Sequence, residues 1–432
     1  MRRTSAVFFV DQPEVFKLKL LRWAQHFREV VFLDNNKQTD LYHTFEMVLA
    51  VDAFTLLQTD HYKAFENLEA YYQHTNDWLF GNLTYDLKND LNELNSINND
   101  GLEFPELFFF QPKKIFFLEG NHVRMEYLEL CDDEMNLDFN DINEISVEQT
   151  TQGSNKVVVR KRVSQEEYAI GFNKIMQHIQ RGDIYEVNYC MEFYAENTVI
   201  DPVSTYWDLN QISEPPFACF AKFNQHFVMS ASPERYLKKT GTQIVSQPIK
   251  GTAKRGSSVE EDELLKKELR ENKKEQSENV MIVDLVRNDL SQTAQKGSVK
   301  VDELFGVYSF KQVHQMISTV SAEVAPDISP IEVIRTTFPM GSMTGAPKLA
   351  AMKIIENVEY SKRGVYSGAV GYFTPQGDFD FNVVIRSILY NKEKKYVSFS
   401  VGSAITINAN VLDEYSECLL KANAMKKVLE QC

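Results

Sequence analysis

Cysteine is scarce in this 432-residue chain and never paired in sequence: Cys131, Cys190, Cys219, Cys418 and Cys432 stand apart, with no C-x-x-C among them. That odd, scattered set argues against a disulfide framework, gives no zinc motif, and points to a reducing compartment. Long apolar runs are missing as well. No window approaches the roughly 20 apolar residues that cross a bilayer, and the N-terminus MRRTSAVFFVDQPEVF lacks the apolar core of a signal peptide. A cytoplasmic location is therefore expected. Positive charge is in deficit, with 46 Lys+Arg against 61 Asp+Glu and a formal net charge of −15. Such a balance repels phosphate backbones and anionic lipid, so neither nucleic acid nor membrane is expected as a partner; a small anion in a locally positive site is not excluded. No repeat or low-complexity tract stands out. What remains is an ordinary globular composition, 43% hydrophobic and 25% charged, in a chain long enough for two or three domains or one composite one.

Residues 1–130 alternate apolar runs with helix-like stretches such as PEVFKLKLLRWAQHF and carry no catalytic motif. The polar segment DDEMNLDFNDINEISVEQTTQGSNK reads as a connection. Beyond it, Ser164 with Glu167 forms a capping-box pattern, apolar residues recur at helical spacing, and Gly182 ends the helix. DIYEVNYCMEF reads as a strand, and HFVMSASPERYLKKTGTQIVSQPIKGT as two or three strands turning at Gly241. EDELLKKELRENKKEQSENVMIVDLVRND reads as one long helix; YSGAVGYF, FDFNVVIRSILY and YVSFSVGSAITI read as strands before a last helix from about Asp413. Antiparallel-looking strands with separate helices indicate α+β rather than a doubly wound parallel sheet.

Two helices carry carboxylates on the wrong face. At 100° per residue, Glu275 and Glu278 fall beside the stripe Ile282, Leu285 and Val286. In the final helix Glu414 and Glu417 share a face with Ala424, Met425 and Val428, and Lys421 joins them. Inward carboxylates are tolerable with a cation between them, and oxygen-only ligands point to Mg²⁺. An anionic ligand would then need cations of its own. Arg386, closing the apolar run FNVVIR, is a candidate carboxylate fork, and Lys421 a second cation. The turn GSMTGAPK offers backbone N–H groups and the Ser342 hydroxyl; it lacks the spacing of a P-loop.

With SASPERYL (230–237), PIKGTAKRG (248–256), SENVMIVDLVRND (277–289), FPMGSMTGAPKLAAMKIIE (338–356), RGVYSGAVGYF (363–373) and DEYSECLLKA (413–422) in order, the chain resembles the chorismate-utilising enzymes across about residues 165–425. These include anthranilate, aminodeoxychorismate, isochorismate and salicylate synthases. The resemblance implies a large α+β fold, a two-sheet β-sandwich flanked by helices. A variable region, 1–140, would pack on the same sandwich as a catalytic region, 160–432. It also implies one Mg²⁺-dependent chorismate site, with Glu278 and Glu417 as principal metal ligands beside Glu275 and Glu414. Thr252, Ser342, Tyr366, Arg386 and Lys421 match substrate-contacting positions. His314 matches a family histidine near the ring, although a histidine in such a setting is otherwise a satisfied core residue.

Lys250 chooses among members. Anthranilate synthases resemble PIAGT at this point; PIKGT resembles the aminodeoxychorismate synthases, in which this lysine attacks C2 of chorismate and expels the C4 hydroxyl before ammonia enters at C4. To attack, the lysine must be neutral, which calls for a lowered pKa. Glu234, 16 residues earlier, matches the acid that protonates the departing hydroxyl; a salt bridge to Arg235 or Arg255 is its plainer reading. Isochorismate and salicylate synthases resemble one another in a lysine base where this chain has Glu186, and the family usually has glutamine there. The glycine-rich strand end appears as Gly402-Ser403-Ala404, so that the amide of Ala404 would bind substrate past a Cβ. Asn408 replaces a usual aspartate, and the LLES-type string associated with tryptophan feedback is absent. No cysteine stands in a glutaminase-type elbow, so ammonia is expected free or from a separate class I glutaminase subunit, and no separate lyase domain is expected. The expectation is an aminodeoxychorismate synthase component I; the alternatives are anthranilate synthase component I and a non-catalytic relative that binds chorismate or a glutaminase.

Overall fold

The computed structural model describes residues 2–38, 41–92, 94–147 and 157–431. Its strands form one antiparallel hydrogen-bonded network of twenty, with helices packed around it. The expected α+β class holds. The expected two-sheet sandwich is not shown: the long strands Met47–Thr59 and Leu107–Glu119 run through both parts of one network.

The branch lies within Leu107–Glu119. Its first residues pair with Leu79–Leu83 and its last with His122–Leu128. Pro112, which has no N–H to give, stands at the changeover opposite a register shift at Ala53–Thr55, where Asp52 has φ 61°. A bulge against a proline bends the ladder and lets the two runs diverge. One run continues through Glu29–Asp34, Phe217–Phe223, His226–Ser232, Ser387–Asn391 and Tyr396–Ile405 to Glu186–Ala195. The other passes through Ala369–Phe373, Phe379–Asn382, Arg235–Thr240 and Gln243–Gln247 to Val313–Glu323, which also pairs with Ile249–Lys254 and Lys300–Ser309. Strands from before residue 140 and after residue 160 thus share ladders. A buried cluster including Val48, Phe109, Val228, Leu237, Val320 and Phe381 draws on both runs. A second, including Phe16, Leu20, Tyr168, Ile175, Phe399 and Met425, unites helices with the first run.

Several local expectations hold. Ser164 and Glu167 form the capping box of helix Gln165–Arg181, and Gly182 closes it in the left-handed region. Others are revised. The long charged helix is two, Val259–Glu271 and Lys273–Ser291: Asn272 takes an extended conformation and its side chain accepts the amides of Lys274 and Glu275, making it a cap rather than a helical residue. The run FDFNVVIRSILY breaks into Phe379–Asn382 and Ser387–Asn391, with Arg386 at φ 53° in the gap. Part of the supposed connection is helical, Met135–Glu144, while its residues 148–156 lie outside the described residues. Among the described residues no helix is long and apolar enough to cross a membrane.

Candidate active site

The far ends of the two runs meet. Strand Glu186–Ala195 closes the first, and Gly345–Ala346 of the GSMTGAPK turn adds to its edge opposite Val187 and Glu186. Strand Ile249–Lys254 lies at the end of the second and packs under helix Lys273–Ser291. Helix Val411–Gln431 covers strand Tyr396–Ile405. Lys250, from one run, therefore reaches Glu186, from the other.

That contact is the centre of the site. Lys250 Nζ donates to Glu186 Oε1 at 2.6 Å, with side-chain exposures of 11% and 2%. Burial works to lower the Lys250 pKa, but the charge and hydrogen bond of Glu186, with Glu278 and Glu234 behind them, outweigh it and raise it above the usual lysine value. The lysine is thus an ammonium at rest, contrary to the lowered pKa expected of a nucleophile. The neighbouring Gly251 holds φ +93°, and a Cβ there would stand 3.1 Å from Glu275 Oε2. Gly251→Ala should therefore cost about 1–3 kcal/mol of stability, measured by denaturant unfolding; an unchanged midpoint would contradict the strain.

Glu234 is buried, and burial pushes its pKa up to about 7, partly offset by a hydrogen bond with Ser342 and by the Lys250 charge. Its plainer reading as a salt bridge fails: Arg235 binds Asp380 at 3.0 Å, and Arg255 binds Asp262 at 2.6 Å. The turn carrying Ser342 is pinned from behind. Asn188 Nδ2 donates to the Ser342 carbonyl at 3.0 Å, and Arg363 Nη1 to the Met343 carbonyl at 2.6 Å. The buried Arg363 is held in turn by Glu359 at 2.6 Å.

The carboxylate faces are borne out unevenly. Glu278 and Glu414 are buried, Glu275 is half-buried, and the Glu417 side chain is 44% exposed. Burial raises the pKa of Glu275 and Glu414, and lifts Glu278 to about 7. Burial also acts on Glu417, but Lys421 at 2.5 Å prevails and holds it below the usual value. Glu278 Oε1 is buried with no hydrogen-bond partner, a position that calls for a cation or a proton. Sequence reading missed one cation beside them: Lys274 Nζ lies 3.9 Å from Glu278 and 3.6 Å from Glu414. Its signal was present, since i and i+4 residues share a helix face, but that Glu414 would face it across helices was not. Among the described residues no three acidic, histidine or cysteine side chains gather as a metal cluster. The donor chemistry, all carboxylate with one oxygen unpartnered, nonetheless suits a hard divalent cation.

The remaining candidates divide. Arg386 gives one hydrogen bond, to the Lys421 carbonyl at 3.3 Å, and burial lowers its pKa. Lys421 Nζ donates to the Gly402 carbonyl at 2.8 Å. Tyr366 is buried with its hydroxyl 3.7 Å from Cys190 Sγ, Thr252 is exposed on the strand just past Lys250, and Ala404 pairs opposite Asn188. His314 is not presented as a free group: Nε2 meets Asp262 at 3.0 Å and Nδ1 meets Ser309 at 2.8 Å.

Comparison with known proteins gives one consistent result. A family described as chorismate binding enzyme matches residues 18–427. The chain is 40% identical over 273 residues to an aminodeoxychorismate synthase of Arabidopsis thaliana, covering 62% of this chain and 30% of that protein. It is 35% identical over 272 residues to aminodeoxychorismate synthase component 1 of Escherichia coli, covering 63% and 59%. The matched stretch thus spans 30% to 59% of these relatives. A crystal structure of anthranilate synthase component I from Streptococcus pneumoniae shares the fold, with a TM-score of 0.78 at 21% identity over 90% of this chain and 95% of that one.

Proposed function

The chain belongs to the chorismate-binding enzymes, and from that membership we propose that it makes 4-amino-4-deoxychorismate from chorismate and ammonia, the activity of an aminodeoxychorismate synthase component I. One observation carries the reading. A buried primary amine, Lys250 Nζ, lies in electrostatic reach of a buried carboxyl, Glu234, whose pKa of about 7 lets it hold a proton. A nucleophile and an acid are what displacement of a ring hydroxyl requires.

The chain's own groups account for the steps. Neutral Lys250 forms the N–C2 bond, both ring double bonds shift, and the C4–O bond breaks as Glu234 gives its proton, so that water leaves. Ammonia then forms the C4–N bond while the C2–N bond breaks and returns its electron pair to Lys250. The new ammonium at C4 gives a proton back to Glu234, and the pyruvyl ether survives. Arg386 and Lys421 supply charge for the carboxylates of chorismate, with Ser342, Thr252, Tyr366 and the Ala404 amide as further donors. Glu278 and Glu417, with Glu275 and Glu414, would hold Mg²⁺, whose charge offsets a substrate carboxylate. Ammonia comes free or from a separate class I glutaminase; the Escherichia coli relative is itself named as component 1.

Incubating the protein with chorismate, Mg²⁺ and an ammonium salt tests the reading by product mass. An aminated product without free pyruvate supports it. Anthranilate with pyruvate would replace it by the anthranilate synthase reading, and inertness with and without a glutaminase would leave a binding protein. Glu278→Gln should raise the Mg²⁺ concentration for half-saturation at least about tenfold, read by calorimetric titration as well as by rate; an unchanged binding isotherm would remove Glu278 from the metal site.

A further inference from the structure

Glu186 is a carboxylate where a dianionic substrate is to be bound, and among the described residues its side-chain hydrogen bond goes to Lys250. It is the first residue of its strand, fixed by the ladder that pairs it with Ala346. Its Oε1 accepts from Lys250 Nζ at 2.6 Å, while Oε2 is buried without any partner. A permanent negative charge here opposes chorismate, and a neutral amide would align the amine equally well. What an amide cannot do is take a proton.

We propose that Glu186 is the proton acceptor of Lys250, storing the ammonium proton while the amine is bonded to substrate and returning it when the amine is released. This rests on the reading of Lys250 as the nucleophile. The transfer converts ammonium and carboxylate into amine and carboxylic acid, with no change in net charge and no proton exchanged with solvent. It has a driving force. Entry of chorismate expels water, and an ion pair stripped of solvent loses much of its advantage over the neutral pair. The unpartnered lone pairs of Oε2 give the acid form a second oxygen on which to carry the proton. The Lys250 lone pair then attacks C2 as above, and after the C2–N bond breaks the free amine recovers its proton from Glu186. The groups facing Lys250 are Glu186, Glu278 and Glu234, with Glu275 and Glu417 farther out. Glu186 is the one hydrogen-bonded to it.

The test is the rate of covalent adduct formation when enzyme and chorismate are mixed with Mg²⁺ and without ammonia, followed by intact-protein mass between about pH 5 and 6.5, where Glu234 keeps its proton. With Glu186 present the proton stays inside the pair, so the wild-type rate should be nearly level. In Glu186→Gln the proton must leave to solvent. Its rate should be lower by about a hundredfold near pH 6 and climb about tenfold per pH unit across that range. Glu186→Asp keeps a carboxylate and should restore the level profile at a reduced rate, which a merely structural role would not produce. Parallel profiles in wild type and Glu186→Gln, or a slope in Glu186→Asp equal to that of Gln, would overturn the assignment of Glu186 alone. Absence of adduct in the wild type at every pH would overturn the nucleophile reading with it.

Discussion

Replacing Lys250 with alanine should leave a folded protein that binds chorismate and aminates it at least about a thousandfold more slowly. The size follows from the step removed. Direct entry of ammonia at C4 must displace a poor leaving group in one event, whereas the lysine divides that event into two displacements, each assisted by the ring double bonds. The fold should tolerate the change. Lys250 makes one side-chain hydrogen bond, to Glu186, and its strand keeps its ladder to Val313–Glu323. Initial rates of C4 amination, with chorismate affinity measured separately, check this. A loss of affinity with an unchanged rate constant would make Lys250 a binding residue.

Glu234→Gln should slow amination by about 10²–10⁴-fold and remove the alkaline limb of its pH profile. In the wild type the acid form is needed. Since burial lifts the Glu234 pKa from 4.5 to about 7, kcat/KM should decline as pH rises through about 7. The same shift has a sign for stability. Between 4.5 and about 7 the folded carboxyl keeps a proton that the unfolded one has released. This contribution is therefore full below 4.5 and lost as pH rises through about 7. Glutamine carries no charge at any pH, so the variant's Tm should fall less between about pH 5 and 8. A rate profile that keeps its alkaline limb in Glu234→Gln would assign that limb to another group.

Much of this site was legible because residue type and helical phase are local properties. Glu275, Glu278 and Glu414 could be seen turning inward from the sequence, and SPER and PIKGT were the strings on which the family resemblance placed Glu234 and Lys250. What was hidden depends on contacts across the fold. Glu186 looked like an unexplained charge until the ends of two strand runs brought it to Lys250, and nothing in the sequence of its own helix showed that Lys274 would face Glu414 across helices. The raised pKa of Lys250 follows from those carboxylates and not from its own strand. The breaks at Asn272 and at Arg386 were missed for a different reason. Apolar and charged periodicity continues across both, and only a cap hydrogen bond or a positive φ ends the element. The continuous strand network was likewise invisible, since pattern shows which residues form strands but not that two long ones are shared.

The account stands on Lys250 becoming covalently bonded to substrate. The direct measurement is to mix the protein with chorismate and Mg²⁺ without ammonia, quench, digest, and map the modified peptide by tandem mass spectrometry. The account predicts a gain equal to chorismate less water, carried on Lys250 in QPIKGTAKRG and discharged when ammonium is added. Turnover to an aminated product with no modification on that peptide would contradict it.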